Sequence, residues 1–132
     1  MILLDTSVAI PIRDGDPAML ERLRLGPRPP VISIVTEVEL LGGACGPGAD
    51  PLRRSLVELF LRTVTVLPFT PVEAMAYAGI VEATGFSRRK LLDRLIAATA
   101  LVHSLPLATL NPGDFADVPG LEVLDWGGGG DR

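Results

Sequence analysis

Nineteen consecutive residues, Leu95 to Gly113, contain no Asp, Glu, Lys or Arg. By count alone such a run would span a membrane. Pro106, Asn111 and Pro112 interrupt it, so a buried helix followed by a buried strand is the better solution. Leu92, Leu95, Ile96, Thr99 and Val102 recur at three- and four-residue spacing, which starts the helix near Leu91. Pro106 stops it, and Leu105–Leu110 reads as a short strand. The polar run from Thr109 to Asp114 then falls at the strand's carboxyl end, where open α/β sheets collect their ligands. Asp93 belongs to this helix without an opposite polar face of its own. At 100° per residue it lies beside Ala97 and Ala100, with Ile96 close by. A carboxylate on that side is costly to desolvate unless a cation or hydrogen-bond donors meet it.

The rest of the chain alternates strands and helices. Met1–Leu4 is apolar enough to be a central strand buried on both faces, and it ends in Asp5, Thr6 and Ser7. Any of these three can cap a short helical segment, Val8–Arg13. Asp16 and Pro17 open a helix over Ala18–Leu25, and Val31–Ile34 is a β-branched strand. Thr36 and Glu39 have the spacing of a capping box for the next helix. Glu39 is thereby offered two roles, cap or ligand at the end of the first strand, and spacing does not choose between them. Asp50-Pro51 starts a helix to about Arg62, and Val64–Leu67 is strand-like. Thr70 and Glu73 form a second capping box, whose helix runs to about Thr84 and in which Glu73 is structural. Arg88, Arg89 and Lys90 make the densest positive cluster, just before the Asp93 helix; the run is either a solvated face or a contact for a phosphate backbone. Leu121–Leu124 closes the sheet, and about 126–132 reads as a frayed tail. The result is a single α/β domain over 1–132 with a mainly parallel sheet.

With 132 residues and 48% hydrophobic content, one domain with one core is expected. A lone Cys45 excludes an internal disulfide and fits a reducing compartment. No signal peptide is visible, because Asp5 breaks the first apolar run, so a cytoplasmic protein without a membrane segment is expected. The net charge of −4 argues mildly against a nucleic-acid partner. Setting aside Asp5, Glu39, Asp93 and Asp114, however, leaves twelve acids against twelve bases, and a cation held by those four would cancel much of their charge.

All four acids can reach the carboxyl edge of such a sheet. Hard oxygen ligands at that density suit Mg²⁺ or Mn²⁺, ions able to acidify a bound water and to neutralise a phosphodiester in transition. One His and one Cys cannot build a zinc site of the usual kind, and His103 reads as a packed or surface group. Neither Gly42-Gly43 nor Gly127–Gly130 has the strand–loop–helix context of a phosphate loop. Ser7 occupies the place where an aspartyl-phosphate phosphatase has its second acid. Metal-assisted phosphodiester hydrolysis is the chemistry that remains.

These residues together resemble a PIN-domain nuclease, specifically the VapC-type toxin of bacterial type II toxin–antitoxin pairs. The likeness spans essentially the whole chain. It rests on the first strand ending in Asp5-Thr6-Ser7, on Ser33–Leu40 with Glu39 directly before Leu40, on Asp93–Ala100, and on Thr109–Phe115. The resemblance implies a PIN-like α/β/α sandwich with Asp5, Glu39 and Asp93 as the core metal-binding acids. The fourth ligand falls to Asp114, or else Asn111 serves as a neutral ligand or holds a water. Thr6, Ser7 and Thr109 would be supporting hydroxyls, and Glu37 the helix-start acid that does not converge. By the same likeness, Glu39 is a ligand rather than a cap. An Mg²⁺- or Mn²⁺-dependent endoribonuclease is implied, cutting RNA (often tRNA or rRNA), commonly dimeric, and silenced by a small antitoxin inserted into the site. Two other readings remain: a catalytically weak PIN-fold binding module acting through its antitoxin–DNA complex, and a nuclease of the same fold in RNA processing.

Overall fold

The computed structural model describes residues 1–26 and 28–128. In chain order the elements are β1 (Ile2–Leu4), α1 (Thr6–Arg13), α2 (Pro17–Leu25), β2 (Pro30–Ser33), α3 (Ile34–Cys45) and α4 (Pro51–Leu61). There follow β3 (Thr65–Leu67), α5 (Pro71–Thr84), α6 (Leu91–His103), β4 (Leu107–Thr109), a 3-10 turn at Pro112–Asp114 and β5 (Val123–Asp125). The strands form one sheet in the order β3-β2-β1-β4-β5, and every pairing is parallel.

β1 is the central strand, as its composition predicts, and all three of its residues are buried. Leu3 pairs with Val31 on one side and Leu107 on the other. The period-2 alternation of the pleat then sorts the core into two layers. Ile2, Leu4, Ile32 and Ala108 pack with Val8, Leu40, Val57 and Phe60 from α1, α3 and α4. Leu3, Val31 and Leu107 pack on the opposite face with Ile80, Ile96, Ala97 and Ala100 from α5 and α6. The architecture is a PIN-like α/β/α sandwich.

Side-chain caps start several helices where the sequence places them. Asp16 accepts the Met19 N–H (3.1 Å), and Asp50 accepts the Leu52 N–H (3.0 Å). Thr70 and Glu73 form their capping box, with the Thr70 N–H donating to the Glu73 carboxylate at 2.7 Å. Glu73 is buried, and His103 Nε2 stands 3.4 Å from its other oxygen. That pair joins the end of α6 to the start of α5, so the two helices run antiparallel.

The capping box expected at Thr36 and Glu39 does not form. Ser33, fully buried at the end of β2, accepts the Val35 N–H at 3.0 Å and starts α3 at Ile34. The strand therefore passes straight into the helix, and Glu39 falls in the second turn rather than the first. Likewise α1 begins at Thr6, β4 is confined to Leu107–Thr109, and β5 lies at Val123–Asp125 rather than Leu121–Leu124. Within α6, Leu92 is 45% exposed while Arg94 is buried, so the apolar stripe begins one turn later than its spacing suggests. The expected tail is held through residue 127. The Trp126 N–H donates to Thr109 O (2.8 Å), its ring packs against the core with Arg22 above it, and the Gly127 N–H donates to Asp125 Oδ1 (2.8 Å). The remainder of that tail, 129–132, lies outside the described residues. Among the described residues no helix is long and apolar enough to cross a membrane.

Candidate active site

Four segments meet at the carboxyl edge of the sheet. Asp5 directly follows β1 and occupies the N-cap position of α1, where it is 4% exposed. Its side chain caps nothing. Instead Oδ2 accepts two hydroxyl protons, from Ser7 Oγ at 2.7 Å and from Thr109 Oγ1 at 2.9 Å. With those protons committed, the two hydroxyl oxygens accept from the backbone: Leu110 N–H donates to Ser7 (3.1 Å) and Asn111 N–H to Thr109 (3.0 Å). This network ties the end of β1 to the end of β4 and orients one carboxylate oxygen. Among the described residues no donor to Oδ1 is found, and the one sealed polar side-chain atom without a partner there is Arg94 Nε, not this oxygen.

Glu39 is held by the same device. Thr6 Oγ1 donates to Glu39 Oε1 at 2.7 Å and stands 2.9 Å from Thr36 Oγ1. A carboxylate only accepts, so Thr6's proton goes to Glu39 and fully buried Thr36 donates to Thr6. The relay Thr36–Thr6–Glu39 leaves Oε2 without a hydrogen bond. Thr36 thus acts inside the site although its spacing resembled a cap, whereas Glu37 lies in the first turn of α3 as a helix-start acid.

Asp93 stands half-buried in the first turn of α6. Burial first, and then the charges of Asp5, Asp114 and Glu39, together push its carboxyl up to about 6; Arg94 opposes them. Asp93 therefore lies within the field of the other three nominated acids. They are not closed up: among the described residues no three His, Cys, Asp or Glu side chains stand as a group ready to hold an ion. Asp114, half-buried in the 3-10 turn, acts on Asp93 more strongly than Glu39 does. Asn111 is exposed, and its recorded hydrogen bond at this edge is made through its backbone N–H.

The basic run lies at the rim. Arg88 and Arg89 are exposed, and Lys90 occupies the N-cap position of α6 close enough to act on Asp117. Because α5 and α6 are antiparallel, the loop carrying these cations turns at the same edge as Asp93.

Sequence reasoning did not single out the ion pair beneath this rim. Arg94, 4% exposed, donates Nη1–H to Asp117 Oδ1 (2.7 Å) and Nη2–H to Asp117 Oδ2 (2.9 Å). The guanidinium holds the Asp117 carboxyl down at about 2. A cation beside Asp93 at the head of a helix with no Asp, Glu, Lys or Arg after it was the available signal, but its partner lies 23 residues away beyond a strand and a turn.

Asp5 at the end of β1 and Glu39 in the second turn of α3 thus each have one carboxylate oxygen fixed by a hydroxyl. Residues 2–121 match the PIN domain family, and the chain belongs to it. Within that family it is of VapC type. It is 33% identical over 129 residues to ribonuclease VapC1 of Rickettsia felis, covering 93% of this chain and 94% of the relative. It is 29% identical over 129 residues to the tRNA(fMet)-specific endonuclease VapC of Salmonella typhimurium, covering 94% and 96%. Among solved structures, DNA-bound VapBC from Salmonella typhimurium superposes with a TM-score of 0.82 at 28% identity over 96% of this chain and 99% of that one. VapBC2 from Rickettsia felis, bound to a promoter DNA fragment, shares the fold with a TM-score of 0.83 at 22% identity, covering 96% and 99%.

Proposed function

We propose that this protein is the ribonuclease toxin of a type II toxin–antitoxin pair, a metal-dependent endoribonuclease whose ion is held by Asp5, Glu39, Asp93 and Asp114. The observation that carries the proposal is the acid quartet itself. Three carboxylates from three other segments act on Asp93, and two of the four acids have one oxygen pinned by hydroxyls. Such a donor set is hard, anionic and made of oxygen, which fits Mg²⁺ or Mn²⁺ and not a softer metal. When bound, the ion supplies charge neutralisation at the phosphodiester and a more acidic water.

The chain's own residues do the rest. Ser7 and Thr109 hold Asp5 in one rotamer, and Thr6, backed by Thr36, does the same for Glu39, so these two side chains are oriented before an ion draws the acids together. Asp93 with its raised pKa is the acid most in need of a cation. Asp114 is the better candidate for the fourth ligand, and Asn111 lies at the entrance as a neutral group for substrate or water. Arg88, Arg89 and Lys90 lie where a strand leaving the acids would pass, and they would take its phosphates. An antitoxin that covers this edge would silence the enzyme, and a homodimer and a cytoplasmic setting accord with the reading. The R. felis and S. typhimurium structures, described as VapBC bound to DNA, favour a second reading, a PIN-fold module that works through its antitoxin–DNA complex.

Incubating purified, antitoxin-free protein with a labelled tRNA and rRNA pool in Mg²⁺, Mn²⁺ or EDTA separates the two. The nuclease reading expects discrete fragments that require metal and vanish in Asp5→Ala. Intact RNA under both metals, from folded protein, would leave the binding module.

A further inference from the structure

The Arg94–Asp117 pair sits between two of the acids. Arg94 is the neighbour of Asp93 in the first turn of α6, and Asp117 lies three residues beyond Asp114. The segment between them is a chain of tight turns. Asp114 N–H donates to Asn111 O (3.0 Å), Phe115 N–H to Pro112 O (3.1 Å) and Val118 N–H to Phe115 O (3.2 Å). Phe115 and Val118 anchor this segment from below, packed among Ile96, Ala97 and Ala100. Apolar contacts hold the segment down but resist sliding poorly, because they have no direction. The two-pronged ion pair has direction. It fixes Asp117 against the head of α6 along two parallel hydrogen bonds, and the turns carry that constraint back to Asp114.

The burial pattern argues that this pair does more than add stability. An arginine with 4% exposure and an unpartnered Nε is an expensive way to secure a surface turn. Among the described residues its side-chain hydrogen bonds go to a single residue, half-exposed Asp117, while Asp93 acts on it only through its field. We infer that Arg94 and Asp117 are positioning residues, which hold Asp114 in register with Asp93 so that both carboxylates can address one cation. The inference rests on the metal-site reading above.

The test is a Mn²⁺ titration by calorimetry on the full chain, with thermal unfolding in EDTA alongside. Wild type, Asp117→Asn, Asp114→Asn and the double variant are compared. Asp117→Asn keeps the shape but loses one acceptor, and it should lower Mn²⁺ affinity about tenfold, the scale seen for groups that orient metal ligands. On the Asp114→Asn background the same substitution should change affinity by less than about twofold, because the ligand it positions is already gone. Arg94→Lys, which keeps the charge without the fork, should reproduce both results if Asp117→Asn folds poorly. Unchanged affinity in Asp117→Asn and Arg94→Lys, or an equal drop in both backgrounds, overturns the inference. A wild type that binds no Mn²⁺ overturns the metal-site reading itself, and this inference with it.

Discussion

Asp93 shows the conflict between stability and function in a single side chain. Its folded-state pKa of about 6 lies above the ordinary 3.8, chiefly through burial and then through Asp5, Asp114 and Glu39. Between those two values the folded protein holds a proton that the unfolded chain has released. Stability therefore falls as pH rises through this window, and the full penalty is present above about 6. Asp93→Asn removes the penalty. In EDTA the variant should melt above wild type at pH 7.5 and level with it at pH 4, while cleavage is lost at every pH. A difference in melting temperature that does not change with pH would contradict this account. The same residue was legible in the sequence, because a carboxylate among alanines has no bland explanation. Asp5 and Glu39 were not legible to the same degree. Caps and ligands draw on the same residue types at the same spacings, and the hydroxyl partners that keep these side chains from capping are 30 or more residues distant in three of the four bonds.

Among the elements, α3 shows why boundaries were harder to read than existence. Its β-branched start, Ile34-Val35, continues the strand pattern of β2, and the helical signal begins only at Thr36. Ser33 overrides that local preference by capping Val35 from a fully buried position. Ser33→Ala should therefore cost about 1 kcal/mol or somewhat more, since a buried N–H loses its acceptor. Thr36→Val, which keeps the shape and removes the relay's first donor, should leave the helix start intact and weaken Mn²⁺ binding instead. Chemical denaturation and Mn²⁺ titration of the two variants check this, and a larger stability loss at Thr36 would return it to a capping role. Strand order was fully hidden. Three-residue strands carry too few alternations to reveal their neighbours, and β1 could be placed at the centre only because it is apolar throughout.

For the whole molecule, a net charge of −4 is ill suited to a ribonuclease only while the charge is treated as spread evenly. Four of the sixteen acids, as many as the net excess, fall at one edge, where a divalent ion would offset them, and Arg88, Arg89 and Lys90 adjoin that edge. The field a substrate meets is then a basic lip beside a neutralised centre, with twelve acids and nine bases over the rest of the chain. Reversing all three cations to Glu tests this arrangement without touching the acids. RNA affinity in Ca²⁺, used to hold the site closed to catalysis, should drop, and its dependence on salt should flatten. Three lost phosphate contacts would lower the slope of log K against log salt by about 2 for a single strand. Metal affinity should change little, because the loop supplies no ligand. If affinity and slope both persist, the loop is a solvated face, and the phosphates must be held elsewhere along the sheet edge. A loss of metal binding together with RNA binding would instead mean that this loop supports the first turn of α6, and with it Asp93.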